Sequence, residues 1–417
     1  MSNECRLRQG LCLFALEKYQ DAEKLFGQAV SAKDFAYADL AMLRQGDCLQ
    51  LRGDHPKAAA LFDSLLKKFP ESTYKVPAQL AAGKSLYQTE KYTDAQKRLS
   101  EVATAKAPQS PEAAYWLGRS LLKLKKPADA VQALDQALAA YSQDPFAGQL
   151  TVARLDALFE LPDRRGEAIK EYAAFAEKQP QHEFAPHALY MAALGALGQA
   201  DYPPAKTHSG RFLAEASYAK HALTPEVLFL AAESRVLSPD ARTQPNGIAE
   251  SEALYRRLLA ECPQNRHVAM SGLRIGLCLY LQKKHDESIA ELTKTVAALK
   301  DPELLAEARL LIGRNYSDTN KMDQAIASLQ DALKAKNDWK RGDEVLLALA
   351  HCLLQTKKLD DARQQLDKLN SSYSDSRYRD QATYQLGEIA SLQSKHDEAV
   401  KWFREVVQKY PQSPLAA

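Results

Sequence analysis

The sequence predicts an all-α protein, a right-handed α-solenoid of about eleven stacked helix-turn-helix repeats. Three observations predict it. A small residue recurs at Gly10, Gly46, Gly83, Gly118, Gly195, Ala232, Gly276, Gly313, Ala350 and Gly387, with Asp156 in the same series, and most steps are 35 to 39 residues. In nine of these units an Ala or Ser follows twelve residues later: Ala22, Ala58, Ala95, Ala130, Ala168, Ser288, Ala325, Ala362 and Ala399. Four residues beyond the second small site stands a larger apolar side chain, as at Phe26, Phe62, Leu99, Tyr172, Tyr255 and Phe403.

Taken along one unit, the first small residue marks where helix one touches helix two. A bulky side chain at either small site would hold the two backbones apart, and overpacking such a contact costs about 1 to 3 kcal/mol. The larger residue lies one turn further on, facing helix one. Between the helices, Lys-Tyr-Gln-Asp before Ala22, Lys-Tyr-Thr-Asp before Ala95 and Lys-His-Asp-Glu before Ser288 and Ala399 read as a tight turn and a helix start. The carboxylate is expected to meet the exposed N–H groups and positive end of helix two, and the ring to staple its start. Pro70, Pro180, Pro263 and Pro411 then stop the second helix.

This pattern resembles the tetratricopeptide repeat, whose signature is L-G-x2-Y, then A-x3-F, then P. Leu117-Gly118, Ile312-Gly313-x2-Tyr316 and Leu386-Gly387 with Ala399-x3-Phe403 and Pro411 carry the likeness. Most units exceed the family's length of about 34 residues by a few. The Phe69-Pro-Glu-Ser-Thr-Tyr and Tyr410-Pro-Gln-Ser-Pro junctions are similar to the longer repeats of bacterial cell-envelope members, such as outer-membrane assembly lipoproteins and the Tol-Pal accessory protein. That resemblance implies a periplasmic or envelope location.

The organisation expected is one continuous solenoid in three stretches. Residues 1–180 hold repeats 1 to 5, residues 181–263 hold irregular repeats 6 and 7, and residues 264–417 hold repeats 8 to 11. The turn after Ala232 is about seven residues longer than the usual crossing. Its insertion, Ser238-Pro-Asp-Ala-Arg-Thr-Gln-Pro-Asn-Gly247, is rich in turn formers, lacks an apolar period and is expected to be an exposed loop, either a tolerated insertion or a partner contact.

Lys and Arg total 55 against 53 Asp and Glu, so no net field concentrates nucleic acid or an acidic membrane. Apolar runs break well before about 18 residues, so no membrane span is expected. Met1-Ser-Asn-Glu-Cys leads straight into a helix carrying Arg6 and Arg8, without a secretory signal, and reads as a cut. At the other end, Pro411-Gln-Ser-Pro-Leu-Ala-Ala stops where a next repeat would begin. Arrays need polar end caps, so a segment of a longer protein, or a self-assembling structural array, is the alternative to a binding scaffold.

Cys12, Cys48, Cys278 and Cys352 share one slot, two residues after the small site. Equivalent residues of neighbouring repeats lie roughly 9 to 10 Å apart, beyond the disulfide reach of about 7 Å. They are expected to be small buried apolar residues.

His55, His285 and His396 share the turn slot with Tyr19, Tyr92 and Met322, so the slot asks for bulk rather than a ring nitrogen. His182-Glu183 and His187 lack the i, i+4 spacing of a zinc helix, with Pro186 between them. No metal, cofactor, phosphate-cradling loop or nucleophile elbow is expected, and no enzymatic activity. Acid pairs such as Asp360-Asp361 suit helix starts.

Binding is the remaining route, with protein or peptide segments as the partner class. If the small slot faces helix two, positions three before it, one after and four after share the other stripe. The resemblance implies that these line a concave groove. The stripe includes Lys84 and Tyr87, Tyr115 and Arg119, Leu277 and Tyr280, Arg314 and Ser317, Leu347 and His351, and Tyr384 and Glu388. Lys84 and Arg119 beside Tyr87 and Tyr115 form a basic, aromatic patch suited to an acidic or C-terminal segment. The alternative is that the rings pack between repeats. Chaperone-binding members clamp a carboxylate with Lys and Asn at the first two stripe positions. Here those positions hold Leu80 with Lys84 and Tyr115 with Arg119, which disfavours that partner.

Overall fold

Helix follows helix throughout the computed structural model, which describes residues 2–31, 35–243 and 246–416 and contains no β-strand among them. The chain divides into two compact units, up to Ala196 and from Leu197 onward. The first contains α1 (Asn3–Ala15), α2 (Tyr19–Val30), α3 (Ala38–Leu51), α4 (His55–Lys68), α5 (Lys75–Gln88), α6 (Tyr92–Ala103), α7 (Ser110–Lys123), α8 (Pro127–Tyr141), α9 (Ala147–Phe159), α10 (Arg165–Lys178) and α11 (Ala185–Gly198), whose last turn reaches the boundary. The second contains α12 (Tyr202–Ala214), α13 (Thr224–Val236), α14 (Gly247–Glu261), α15 (Val268–Leu281), α16 (His285–Ala298), α17 (Pro302–Asp318), α18 (Met322–Ala335), α19 (Gly342–Gln355), α20 (Leu359–Ser372), α21 (Arg379–Leu392) and α22 (His396–Lys409). Consecutive helices pack in pairs, and successive first helices touch, as α5 with α7 and α15 with α17. Each unit is therefore a stretch of α-solenoid.

The small slot works as its spacing predicts. A Cβ on Gly10 would lie 2.6 Å from the Phe26 ring, one on Gly83 2.6 Å from Leu99, and one on Gly387 2.7 Å from Phe403. Gly46, Gly118, Gly276 and Gly313 meet Phe62, Leu134, Leu292 and Leu329 in the same way. The larger residue therefore reaches the glycine sixteen positions earlier and leaves no room for a methyl group.

Gly195 departs from the series. Its absent Cβ would meet Ile169 and Phe159 of the preceding repeat. In α11, Ala192, Ala193 and Ala196 are also buried, so several small residues compete for the crossing and spacing alone selects the wrong one. A further small site escaped the twelve-residue rule: Ser251 donates to the Ala232 carbonyl at 2.8 Å, as Ser288 donates to that of Gly276 at 2.8 Å. Its signal was Tyr255, four residues on.

The turns close by a Schellman motif. The Lys18, Lys91, Lys284 and Lys358 amides each donate to a carbonyl five residues back, at 2.9 Å, around a residue of positive φ: Glu17, Glu90, Lys283 and Lys357. The ring staples form, with Tyr19 5.4 Å from Phe14, Tyr92 5.4 Å from Tyr87 and His285 5.9 Å from Tyr280. The expected carboxylate caps do not. At the starts of α2, α6, α16 and α22 the N-cap is a lysine without an accepting side chain, and Asp21, Asp94, Asp286 and Asp397 sit in the first turn. They act on the helix dipole rather than on one N–H group.

The insertion after Ala232 is also corrected. Its residues Pro239–Arg242 form a 3-10 helix, and Ala241 is buried against Ala232, Tyr255 and Cys278. Lys206 reaches Ser238 and Asp240 at 3.1 and 3.3 Å. The segment folds inward because one apolar residue finds the core; Gln244 and Pro245 of the expected loop lie outside the described residues.

Cys48, Cys278 and Cys352 are buried, and burial pushes the Cys48 and Cys278 thiols up to about 12. Cys12 is exposed, because among the described residues no helix precedes α1 to cover that slot.

A candidate protein-binding groove

The stripe position one residue after the small slot carries many of the charges of the candidate groove. In the first unit it holds Asp47, Lys84 and Arg119; in the second it holds Glu233, Leu277, Arg314, His351 and Glu388. Most of these charges are already spent. Asp47 accepts from Arg44 at 3.0 Å. Lys84 donates to Glu112 at 2.7 Å, so it is not the free cation expected of the basic patch. Glu112 stands six residues before the next small slot, where it reaches back across the repeat boundary.

Arg119 differs. Its guanidinium lies 5.7, 5.6 and 5.6 Å from the ring centres of Tyr87, Tyr115 and Trp116, and one Nη donates to the Tyr115 hydroxyl at 2.8 Å. No carboxylate pairs with it among the described residues. Burial alone would lower its pKa; the phenols of Tyr115 and Tyr87 outweigh that and raise it. Tyr87 and Tyr115 are themselves buried, Tyr87 against Trp116 at 5.1 Å and Tyr115 against Phe146 at 6.2 Å. The rings therefore pack between repeats and serve as a cradle for Arg119 rather than as free platforms.

A cavity of about 520 Å³ opens beside Arg119, lined further by Leu122, Lys123, Lys125, Asp156, Glu160, His187 and Met191. Asp156 breaks the small-residue rule for a reason. The buried Tyr172, in the large slot, donates its hydroxyl to Asp156 Oδ1, and His187 Nε2 meets the same oxygen at 2.8 Å. Tyr255 repeats the device on Glu233. A tyrosine in the large slot thus marks an acid on helix one, a signal present in the sequence and not used.

In the second unit the stripe joins an ion-pair chain. Arg274 bridges Glu233 at 2.9 Å and Glu307 at 3.5 Å, and Arg341 bridges Glu307 at 3.1 Å and Glu344 at 2.9 Å. Arg314 closes it on Glu344. Burial works to raise the Glu344 carboxyl, yet Arg341 and Arg314 hold it below its ordinary value. A cavity of about 520 Å³ beside this chain is lined by Tyr280, Arg314, Glu344, His351 and Gln385. His351 is exposed. Tyr384 packs on Phe403 at 5.4 Å, and Glu388 lies half-buried along the same helix face, without an ion pair among the described residues.

The structure disperses the histidines. His182 accepts from the Phe184 amide at 3.1 Å, His285 meets Asn315 at 3.0 Å, and no group of three His, Cys, Asp or Glu among the described residues is placed to hold a metal ion. Nor is any helix among the described residues long and apolar enough to cross a membrane.

Two family models, both described as tetratricopeptide repeat, match the sequence, one at residues 7–73, 80–145 and 375–414 and the other at 318–383. Together they span more than half of the chain. No curated protein matches by sequence. Among solved structures, PilF of Pseudomonas aeruginosa is similar at 18% identity and a TM-score of 0.42, over 55% of this chain and 94% of that one. A tetratricopeptide repeat protein from Parabacteroides merdae is similar at 15% identity and 0.40, over 67% and 98%. The Cut9–Hcn1 hetero-tetramer of APC/C is similar at 12% identity and 0.34, over 100% and 95%.

Proposed function

Because the chain belongs to the tetratricopeptide repeat family, we propose that it is a non-catalytic scaffold that binds protein segments along its groove, with Arg119 as the anchor of the first unit. One observation carries this reading: among the described residues Arg119, at its stripe position, has no carboxylate partner, while Lys84 and Arg314 each have one. A guanidinium held among three rings loses little rotamer freedom on binding and keeps N–H groups for a carboxylate. The ligand class is an acidic or C-terminal segment. Lys123 and Lys125 on the same cavity add to its pull, while Asp156 and Glu160 on its lining reject a segment that is acidic throughout.

The reading extends to a complex of the bacterial cell envelope, on the support of the Phe69-Pro-Glu-Ser-Thr-Tyr and Tyr410-Pro-Gln-Ser-Pro junctions.

A random-peptide library selected on the wild-type chain tests the anchor. Enriched peptides should carry an acidic residue or a free C-terminus, and Arg119→Glu should weaken them at least tenfold with the helical content unchanged. Peptides whose affinity ignores Arg119→Glu would overturn the assignment. Crosslinking with mass spectrometry on the native protein then identifies the partner and its compartment.

A further inference from the structure

The cavity beside Arg119 has two walls of opposite sign. Arg119 and Lys123 stand on α7 and Lys125 in the turn that follows, whereas Asp156 and Glu160 stand on α9. The two acids are one turn apart on one helix face, where like charges repel. Burial, together with the Asp156 and Glu160 charges, pushes the Tyr172 phenol up, so both carboxylates act on one point. Both also reach solvent: the Asp156 side chain is 36% exposed, and Glu160 is exposed. Tyr172 and His187 both use Oδ1 of Asp156, which leaves Oδ2 for another donor. Among the described residues neither Glu160 nor Lys123 nor Lys125 forms an ion pair, although they line one space.

A volume of about 520 Å³ lies within the range of small-ligand sites and has room for the carboxylate of one residue and the side chain of a near neighbour. The helices α7 and α9 touch. Packed helices lie about 8 to 10 Å apart and an extended segment advances about 3.3 Å per residue, so charges that answer the two walls fall two or three residues apart. We propose that the site takes a dipolar segment of a partner protein, with a carboxylate on Arg119 and, two or three residues away, a lysine or arginine head on Glu160 and Asp156. This rests on Arg119 as the groove anchor, and it narrows the partner to a segment with a basic residue close to its carboxylate. Leu122 and Met191 on the same lining receive the aliphatic stem of that basic side chain. A cation there relieves the repulsion between Asp156 and Glu160, whereas an apolar residue leaves both charges unanswered. The carboxylate comes from a chain terminus or from an Asp or Glu side chain, since a guanidinium pairs with either.

The test uses tripeptide probes on the wild-type chain, followed by the amide resonances of Arg119 and Glu160. Acetyl-Lys-Ala-Ala with a free C-terminus and acetyl-Lys-Ala-Glu amide present the carboxylate from the two sources. Each is matched by a counterpart whose lysine is Nε-acetylated and uncharged. The better lysine probe should bind at least tenfold more tightly than its counterpart, and which of the two it is names the source. Glu160→Gln should remove most of that difference, because Glu160 is exposed and its loss spares the Tyr172 and His187 contacts of Asp156. Arg119→Glu should weaken every probe. Equal affinity of both lysine probes and their neutral counterparts on the unaltered chain, or a difference that survives Glu160→Gln intact, would overturn this proposal, while weakening by Arg119→Glu would still uphold the anchor. Probes that ignore Arg119→Glu, or that shift neither resonance, would overturn both.

Discussion

Arg119 in the first unit and Arg314 in the second occupy the same stripe position, one residue after the small slot, and meet different fates. Arg314 is neutralised by Glu344, which Arg341 also holds, whereas Arg119 rests on three rings and one hydroxyl. The deciding residue is not the arginine. Six positions before the next small slot stands Glu344 for Arg314 and Glu112 for Lys84, but Leu150 for Arg119, and Leu150 is fully buried. A groove cation is spent or available according to what the following repeat offers, so the two units build a structural ion-pair chain and a candidate ligand anchor from the same position.

The comparison breaks most severely if Glu344 is neutralised. Glu344→Gln strands Arg314, while Arg341 keeps Glu307, and removing one partner of a buried pair costs about 3 to 5 kcal/mol. Because both arginines keep part of their surface in water, the lower end, about 3 kcal/mol, is expected in thermal unfolding. The pH dependence carries the same sign. The Glu344 carboxyl is held below its ordinary 4.5 when folded, so its contribution is complete above that value and is lost as pH falls through the folded pKa. Glu344→Gln should flatten that acid loss, and a steep acid limb surviving the substitution would mean another carboxylate controls it.

Packing gives the next effect. Gly276→Ala drives a methyl group into Leu292 and should cost about 1 to 3 kcal/mol. Gly210 has open space around the position of its missing Cβ, and Gly210→Ala in the middle of α12 should instead stabilise by about 0.5 to 1 kcal/mol. Equal Tm shifts for the two would refute the crossing role of the small slot.

The smallest change in stability sharpens the comparison most. Lys84 and Glu112 are partly exposed, so Glu112→Gln should alter stability by less than about 1 kcal/mol. It frees Lys84 as a second groove cation beside Arg119, and affinity for acidic peptides should rise several-fold. No gain would show that Lys84 faces away from the bound segment.

Helix order and turn position were legible because they depend on spacing within one repeat. Gly10 with Phe26, and Gly387 with Phe403, follow from a fixed separation along two rigid helices. Gly195 defeated the same rule in an alanine-rich helix where several residues were small enough. The inward fold of the insertion was illegible because a single buried alanine, Ala241, makes no periodic signal.

By itself, then, the sequence determined the helix pairs and the sixteen-residue contact that joins them, since both are local geometry repeated. Only the tertiary structure decided which charges on the stripe one residue after the small slot remain available. Lys84 finds its acid 28 residues away and Arg314 finds its own 30 away, across a repeat boundary. Such pairings depend on side-chain reach between packed helices, which no period in the chain encodes.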